Sequence, residues 1–363
     1  MPILPKYILI EYLKFLALLL TALLMIFCTI YFLEKIHWLS QGDVSFFLVI
    51  QHLLLKMPKM ISDLIPLALF LSCLLTLGTL AKNNEIIPMM GAGISMMAIA
   101  APILMVGAAM SVIFFLLNGS VIPSSYKAAQ VVQKEGIEKK GIGGTLLQNK
   151  IWLRLNGKTL LYTRLVDAKK NRMNGVHFYY LGDEIPIEAE IEAEMMNFEN
   201  GRWILSSGVD IRHEKDGTVL RTPFAKKEIE LGKTVLEMQQ LEAAPDEMTY
   251  TQLQSYVDQL KKDGLNSIRY QVALGQKQAV SFSNFVLVLL GITIAFRYLR
   301  ESGISKSVLV GLVIFLLYWL SISVSISMGK MEILTPMQAV WGPHILFLLL
   351  GSYQFSRLHK VIG

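Results

Sequence analysis

The chain has 363 residues, 53% of them hydrophobic and only 17% charged, with a mean hydropathy of +0.48, whereas a soluble domain carries about 25% charged residues. That balance excludes a disordered, fibrous or ordinary soluble protein. Of the net charge of +6, residues 118–278 contribute +1, from 22 Lys/Arg against 21 Asp/Glu, so the basic excess flanks hydrophobic segments and points to bilayer orientation, not to nucleic acid.

Six stretches have the roughly 20 apolar residues that cross the hydrocarbon of a bilayer: 15–33, 64–81, 95–117, 279–296, 307–328 and one inside 333–356. The first is too long for a secretory h-region and no small-residue cleavage site follows it, so a permanent helix is expected. Between Asp43 and Lys56 lie only 12 uncharged residues, which suits an interfacial helix better than a span. Cys28 and Cys73 each sit in an apolar run, where neither a disulfide framework nor a metal site is expected.

Orientation follows the Lys/Arg asymmetry of the short loops. With the N-terminus inside, cytoplasmic segments hold eight (Lys6, Lys14, Lys82, Arg297, Arg300, Lys306, Arg357, Lys360) and the opposite loops four (Lys35, Lys56, Lys59, Lys330). Both termini are then cytoplasmic and the large middle segment is external. At the outer end of the first span, Glu34 and Lys35 mark the water boundary, with a ligand role for Lys35 as the functional alternative. The inner loop from Leu80 to Ser95 carries Glu85 as its one acid beyond Lys82, then Met89, Gly91 and Gly93. It reads either as a short helix for docking a cytoplasmic partner or as a re-entry turn.

From about Gly144 to Leu231 the pattern becomes strand-like alternation broken by turn pairs. Ile151, Leu153 and Leu155 alternate first, and Asn156-Gly157 turns the chain into Leu160-Leu161-Tyr162. Val176, Phe178 and Tyr180 follow, and then Ile187, Ala189, Ile191 and Ala193 interleave with Glu188, Glu190, Glu192 and Glu194. An antiparallel sandwich or jelly roll is expected. After Pro245 the period is helical, with Leu253, Tyr256, Val257 and Leu260 on one face and Thr251 with Gln254 as a capping box.

Catalytic chemistry has no constellation to stand on. The triplets Gly157-Lys158-Thr159 and Gly232-Lys233-Thr234 lack the earlier glycine of a phosphate loop, whose place is taken by Trp152 and Lys227, and are expected to be hairpin turns. There is no nucleophile elbow, His-Glu-x-x-His helix or Cys/His cluster. His344, inside the last span, is either a functional ionisable group or a neutral imidazole bonded to a neighbouring helix.

The three-plus-three layout around an external β-domain, the Leu-Ala-Lys-Asn-Asn-Glu-Ile-Ile stretch from Leu80 to Ile87 closed by Gly91-Ala92-Gly93, and Tyr256-Val257 with Leu260-Lys261 and Gly264 before Arg269-Tyr270-Gln271 resemble the lipopolysaccharide-export permeases of the LptF/LptG type over essentially the whole chain. The last motif is closer to the G-type subunit. The resemblance implies residues 1–117 as spans one to three with a coupling helix at about 82–95, residues 118–265 as a periplasmic β-domain with a following helix, and residues 266–363 as spans four to six.

It also implies an inner-membrane subunit that extracts lipopolysaccharide. Its partners would be a cytoplasmic LptB-like ATP-binding-cassette ATPase, which alone binds ATP and Mg, a second permease copy or homologue, and an LptC/LptA-like bridge. Glu85, with Asn84, Met89 and Gly91, would couple to the ATPase. Lys35, Lys56 and Lys59 are the candidates for lipid phosphates, although Ile36-His37-Trp38 departs from the family's basic cluster. Leu153, Leu155, Tyr162 and Phe178 are candidates for an apolar lipid path. The alternative is a mechanical or assembly protein whose ATPase moves the external domain without lipid transport; such a device is expected to place its domain between the first two helices of four.

Overall fold

The computed structural model describes residues 3–36, 38, 44–137, 151–156, 158–167, 172–182, 186–199, 202–213, 218–229, 244–262, 266–298 and 303–362, with the backbone alone given for 134–135, 151–156, 165–167, 303 and 359–362. Among the described residues, the α-helices before the sheet are α1 (Ile3–Lys35), α2 (Phe46–Lys82), α3 (Ile86–Gly91), α4 (Met96–Gly119) and α5 (Val121–Val131), the last continued by a π-helical turn over Val132–Ile137. Six strands follow: β1 (Ile151–Asn156), β2 (Thr159–Asp167), β3 (Arg172–Tyr180), β4 (Ala189–Glu199), β5 (Arg202–His213) and β6 (Val219–Ile229). The chain returns through α6 (Tyr250–Lys262), α7 (Ile268–Tyr298), α8 (Gly303–Lys330) and α9 (Pro336–Ile362).

Among the described residues, α1, α2, α4, α7 and α8 are long and apolar enough to cross a membrane. The sixth expected span is α9, a helix of 27 residues whose apolar run is diluted by Trp341, Gly342, Pro343 and His344. It packs along α7 and α8 as part of the same bundle. The interfacial helix expected at 44–55 is not a separate element. Ser45 caps Phe47 N–H at 3.3 Å and α2 then runs unbroken for 37 residues, about 55 Å at 1.5 Å per residue. Pro58 and Pro66 lie inside it without ending it.

The bundle is organised around α7. Of its most apolar stretch 83% is buried, against 6% for α1 and 17% for α8, so α1 and α8 turn most of their apolar surface outward. Small residues set the close approaches. A Cβ on Gly107 of α4 would meet Val288 of α7 at 3.1 Å, one on Gly291 of α7 would meet Cys73 and Phe70 of α2 at 3.3 Å, and one on Gly351 of α9 would meet Leu290 of α7 at 3.2 Å.

The strands pair antiparallel in strict sequence order. No neighbours are out of order among the described residues, so the expected all-β domain is a meander without Greek-key crossovers. Its core lies on one face, where Leu161, Phe178, Ile191, Met196, Trp203 and Leu205 pack together. The alternation read in β4 holds through Ile191 and Ala193, and burial then changes phase, with Met196 next. The same shift separates Val176 from Met173 in β3.

Both shifts fall on one row of the sheet. Residues 164, 175, 194, 207 and 225 occupy it, and every ladder from β2 to β6 skips its pair there while keeping register on either side. Gly175 and Ser207 in that row have φ of 61° and 53°. Left-handed residues flip the local facing, so the row bends the sheet and lets both halves cover one core.

Two capping boxes frame the return. The one expected at Thr251/Gln254 forms two residues earlier, where Thr249 N–H donates to Gln252 Oε1 at 2.9 Å and Gln252 N–H to Thr249 Oγ1 at 3.3 Å. Thr335 and Gln338 repeat it before α9, with Pro336 at the first helical position. Leu253, Val257 and Leu260 bury the apolar face of α6 as read.

Packing at Gly329 tests the bundle, since a Cβ there would collide with Ala339 Cβ on α9, whereas one on Gly342 would meet nothing within 4 Å. Gly329→Val should destabilise by about 1–3 kcal/mol through overpacking, and Gly342→Ala should be near neutral. Apparent melting temperatures in detergent check this, and equal values for the two variants would contradict the packing.

Candidate functional site

The end of the bundle nearest the β-domain gathers a cation and aromatic cluster from α1, α2 and the turn between them. His52 is fully buried. Its Nδ1 faces the Ala129 carbonyl at 2.8 Å, which only accepts, so Nδ1 carries the proton and Nε2 accepts from the Tyr31 hydroxyl at 2.7 Å. Trp38 packs edge-on against the same imidazole at 5.5 Å. Tyr31 is thereby locked in place, and its ring is shared by two cations, with Lys56 Nζ 4.1 Å and Lys35 Nζ 6.0 Å from the centroid. Lys35 also stands 5.2 Å from the Trp38 ring and 3.1 Å from Glu34.

Two like charges beside one aromatic ring repel each other, while cation–π attraction at such a site contributes only about 0.5–1 kcal/mol. An anion bridging them removes the repulsion. Lys59, read with them from the sequence, diverges. It pairs with Asp63 at 3.0 Å and faces a small cavity of about 70 Å³ with Asn118, Asp246 and Lys277. The structure therefore unites Lys35 and Lys56 and separates Lys59. Tyr31, Trp38 and His52 escaped sequence reading, although Gln51-His52 is a polar break in an apolar run that pointed to them.

At the opposite end, α2 stops in a left-handed cap. Asn84 has φ 57° and Glu85 N–H donates to the Leu80 carbonyl at 2.9 Å, the closure for which asparagine substitutes for glycine. The segment 86–91 is helical, so the loop is a short helix and not a bare turn. Glu85 is half-buried and already partnered, since the Tyr7 hydroxyl donates to Oε2 at 2.9 Å and Asn83 Nδ2 to Oε1 at 3.2 Å. Met89 packs against the bundle core, while Asn84 and Gly91 face outward. So do Ile87 and Met97, 62% and 48% exposed, giving an apolar surface beside the acid that sequence reading missed.

Inside the bundle, His344 Nδ1 meets the Tyr318 hydroxyl at 2.6 Å, with Phe282 and Trp341 around the ring; it is bonded to a neighbouring helix. Ser62, Asn118 and Ser281 chain together across α2, α4 and α7.

In the β-domain, the register opposes Leu153 to Leu161 and Leu161 to Phe178, but Tyr162 to Trp152 and His177. Phe178 is thus in the core, while Tyr162 stands on the other face, because adjacent strand residues point oppositely. The four do not share one face as expected. Leu153 and Leu155 belong to β1, whose side chains lie outside the described residues, as does the second Gly-Lys-Thr triplet.

The domain is inserted between the third and fourth long helices, not between the first two of four as the mechanical alternative expects. Two curated relatives are similar over most of their length: the lipopolysaccharide export system permease protein LptG of Escherichia coli K12, 24% identical over 332 residues covering 89% of this chain and 87% of that protein, and LptG of Haemophilus influenzae, 20% identical over 333 residues covering 90% of each. Residues 6–357 match the family described as "Lipopolysaccharide export system permease LptF/LptG". A match of that extent, on a bundle of long apolar helices divided by an antiparallel β-domain, makes this chain a member of the LptF/LptG family of lipopolysaccharide export permeases.

Proposed function

We propose that the chain is the G-type permease subunit of an ATP-driven extractor that moves lipopolysaccharide from the inner membrane toward a periplasmic bridge. The family match over residues 6–357 carries the reading, and the convergence of Lys35 and Lys56 on Tyr31 supports it. The outward apolar surfaces of α1 and α8 suit one wall of a lateral cavity completed by a second permease, with acyl chains against that wall. Phosphates of the lipid would sit between Lys35 and Lys56, where charge-assisted contacts form and the mutual repulsion is relieved. Energy comes from a separate ATP-binding-cassette ATPase that docks on the α3 loop, its cation on Glu85 and its apolar rim on Ile87 and Met97.

Four measurements test this. Reporter fusions at Gly182 and Gly363 should report opposite sides of the membrane, and the same side for both would sink the topology. In transport assays at matched expression, Lys35→Asp and Lys56→Asp should both fail while Lys59→Asp retains activity. Loss of one charge-assisted contact of about 1.5 kcal/mol should weaken lipid binding roughly tenfold in Lys35→Gln. Equal transport by all three Asp variants would make these lysines interface anchors. Glu85→Ala, and separately Ile87→Ser, should reduce co-purification of the ATPase and its stimulated hydrolysis without reducing insertion; unchanged assembly in both would return α3 to a plain connector.

A further inference from the structure

The face of the β-sheet opposite its core sets one histidine against two carboxylates. His177 of β3 is the cross-strand partner of Glu192 on β4, and Glu190 stands two residues along β4 on the same face. His177 Nδ1 lies 3.4 Å from Glu192 Oε1 and 3.5 Å from Glu190 Oε1, and one ligand atom from each residue falls within 4.8 Å of the other two. Ligands bound tetrahedrally at about 2.0–2.1 Å stand about 3.4 Å from one another. The two distances from His177 match that spacing, and the two carboxylates lie within 4.8 Å of each other.

Two further observations point the same way. His177 Nδ1 is withdrawn from solvent and makes no hydrogen bond, although the ring is in place to use it, a state that costs free energy unless something occupies the lone pair. The ring itself is held on both sides, stacked on Tyr179 at 6.2 Å with an interplanar angle of 8° and tilted against Tyr162 at 5.5 Å. The Tyr179 hydroxyl bonds Glu190, its cross-strand partner. A tyrosine that orients a carboxylate ligand is the kind of outer partner metal sites use.

We propose that His177, Glu190 and Glu192 form a site for a late first-row divalent cation of the Zn²⁺ type, with the remaining position open to water or to an oxygen donor. An imidazole among the ligands disfavours Ca²⁺ and Mg²⁺, which take oxygen. The site ties β3 to β4 within the extramembrane domain and is independent of the Lys35–Lys56 cluster and of the transport reading.

Equilibrium dialysis of the tag-free, full-length protein in detergent against ZnCl₂, after stripping with chelator, should find one ion per chain, and Co²⁺ in its place should give visible absorption bands of a four-coordinate ion. His177→Ala should abolish both signals. Glu192→Gln, an isosteric change at a carboxylate that is 47% exposed and so without a folding cost, should weaken binding by roughly tenfold or more, and Tyr179→Phe by about tenfold. Substoichiometric binding by the unmutated protein, or binding unchanged in both His177→Ala and Glu192→Gln, would reduce the cluster to a histidine–carboxylate ion pair and overturn the proposal.

Discussion

Inside hydrocarbon no solvent pushes helices together, so the distance at which their backbones meet decides how firmly a bundle holds. Here that distance is set along α7. Gly275 and Gly291 on α7 accept Val340 of α9 and Cys73 with Phe70 of α2, and Gly107, Gly329 and Gly351 on the neighbouring helices accept Val288, Val272 and Leu290 from it. Four helices therefore close on α7 at contact distance, and its polar side chains Ser281, Ser283 and Asn284 are buried with it. The arrangement leaves α1 and α8 on the periphery, where their apolar faces meet lipid or a partner instead of the core.

What was legible in the sequence follows from which interactions are local. Spans are local: an uninterrupted apolar run has one solution in a bilayer, and each of the six expected stretches coincides with a long helix to within a few residues. Glu85 stands out in the sequence because a lone acid in an apolar loop needs no neighbour to be conspicuous, and the structure gives it the partners Tyr7 and Asn83. The start of α2 was not legible, because hydropathy falls at Lys56 and Lys59 while helical hydrogen bonding continues through them, and a lysine ends an apolar run without ending a helix. The capping box slid by two residues for a related reason: Thr249, Thr251, Gln252 and Gln254 offer two overlapping registers, and only the packing of Leu253 and Val257 chooses between them.

Pairings across strands and helices were out of reach. Alternation in β4 was read as one acidic and one apolar face, but opposing Glu192 to His177 requires the β3–β4 register, which depends on residues 181–188 and leaves no periodic trace. The phase change at Gly175 and Ser207 is similar: one residue per strand breaks the alternation, and only the alignment of those residues in a single row makes it a bend. Lys35 and Lys56 are 21 residues apart on different helices, and the Tyr31–His52 hydrogen bond that brings them to one ring is a tertiary contact.

The two ends of the bundle are joined by α1 as well as by α2, and three tyrosines fasten α1 along its length. Tyr7, Tyr12 and Tyr31 of α1 each direct a hydroxyl to another segment, to Glu85 in the α3 loop, to the Leu69 carbonyl of α2 and to His52 of α2. Over α1's 33 residues, about 50 Å, these bonds supply much of the directional attachment of a helix whose apolar face is otherwise outward. They are unequal. Tyr12 and Tyr31 are buried, so each bond lost there leaves an unsatisfied polar group, whereas Tyr7 is exposed and its phenol returns to water when Glu85 is taken by another donor. Loss of the Tyr7–Glu85 bond would thus free α1 at that end only, while the far end, with Lys35 one turn from Tyr31, stays fixed to α2. The asymmetry couples the position of the α3 loop to one end of α1.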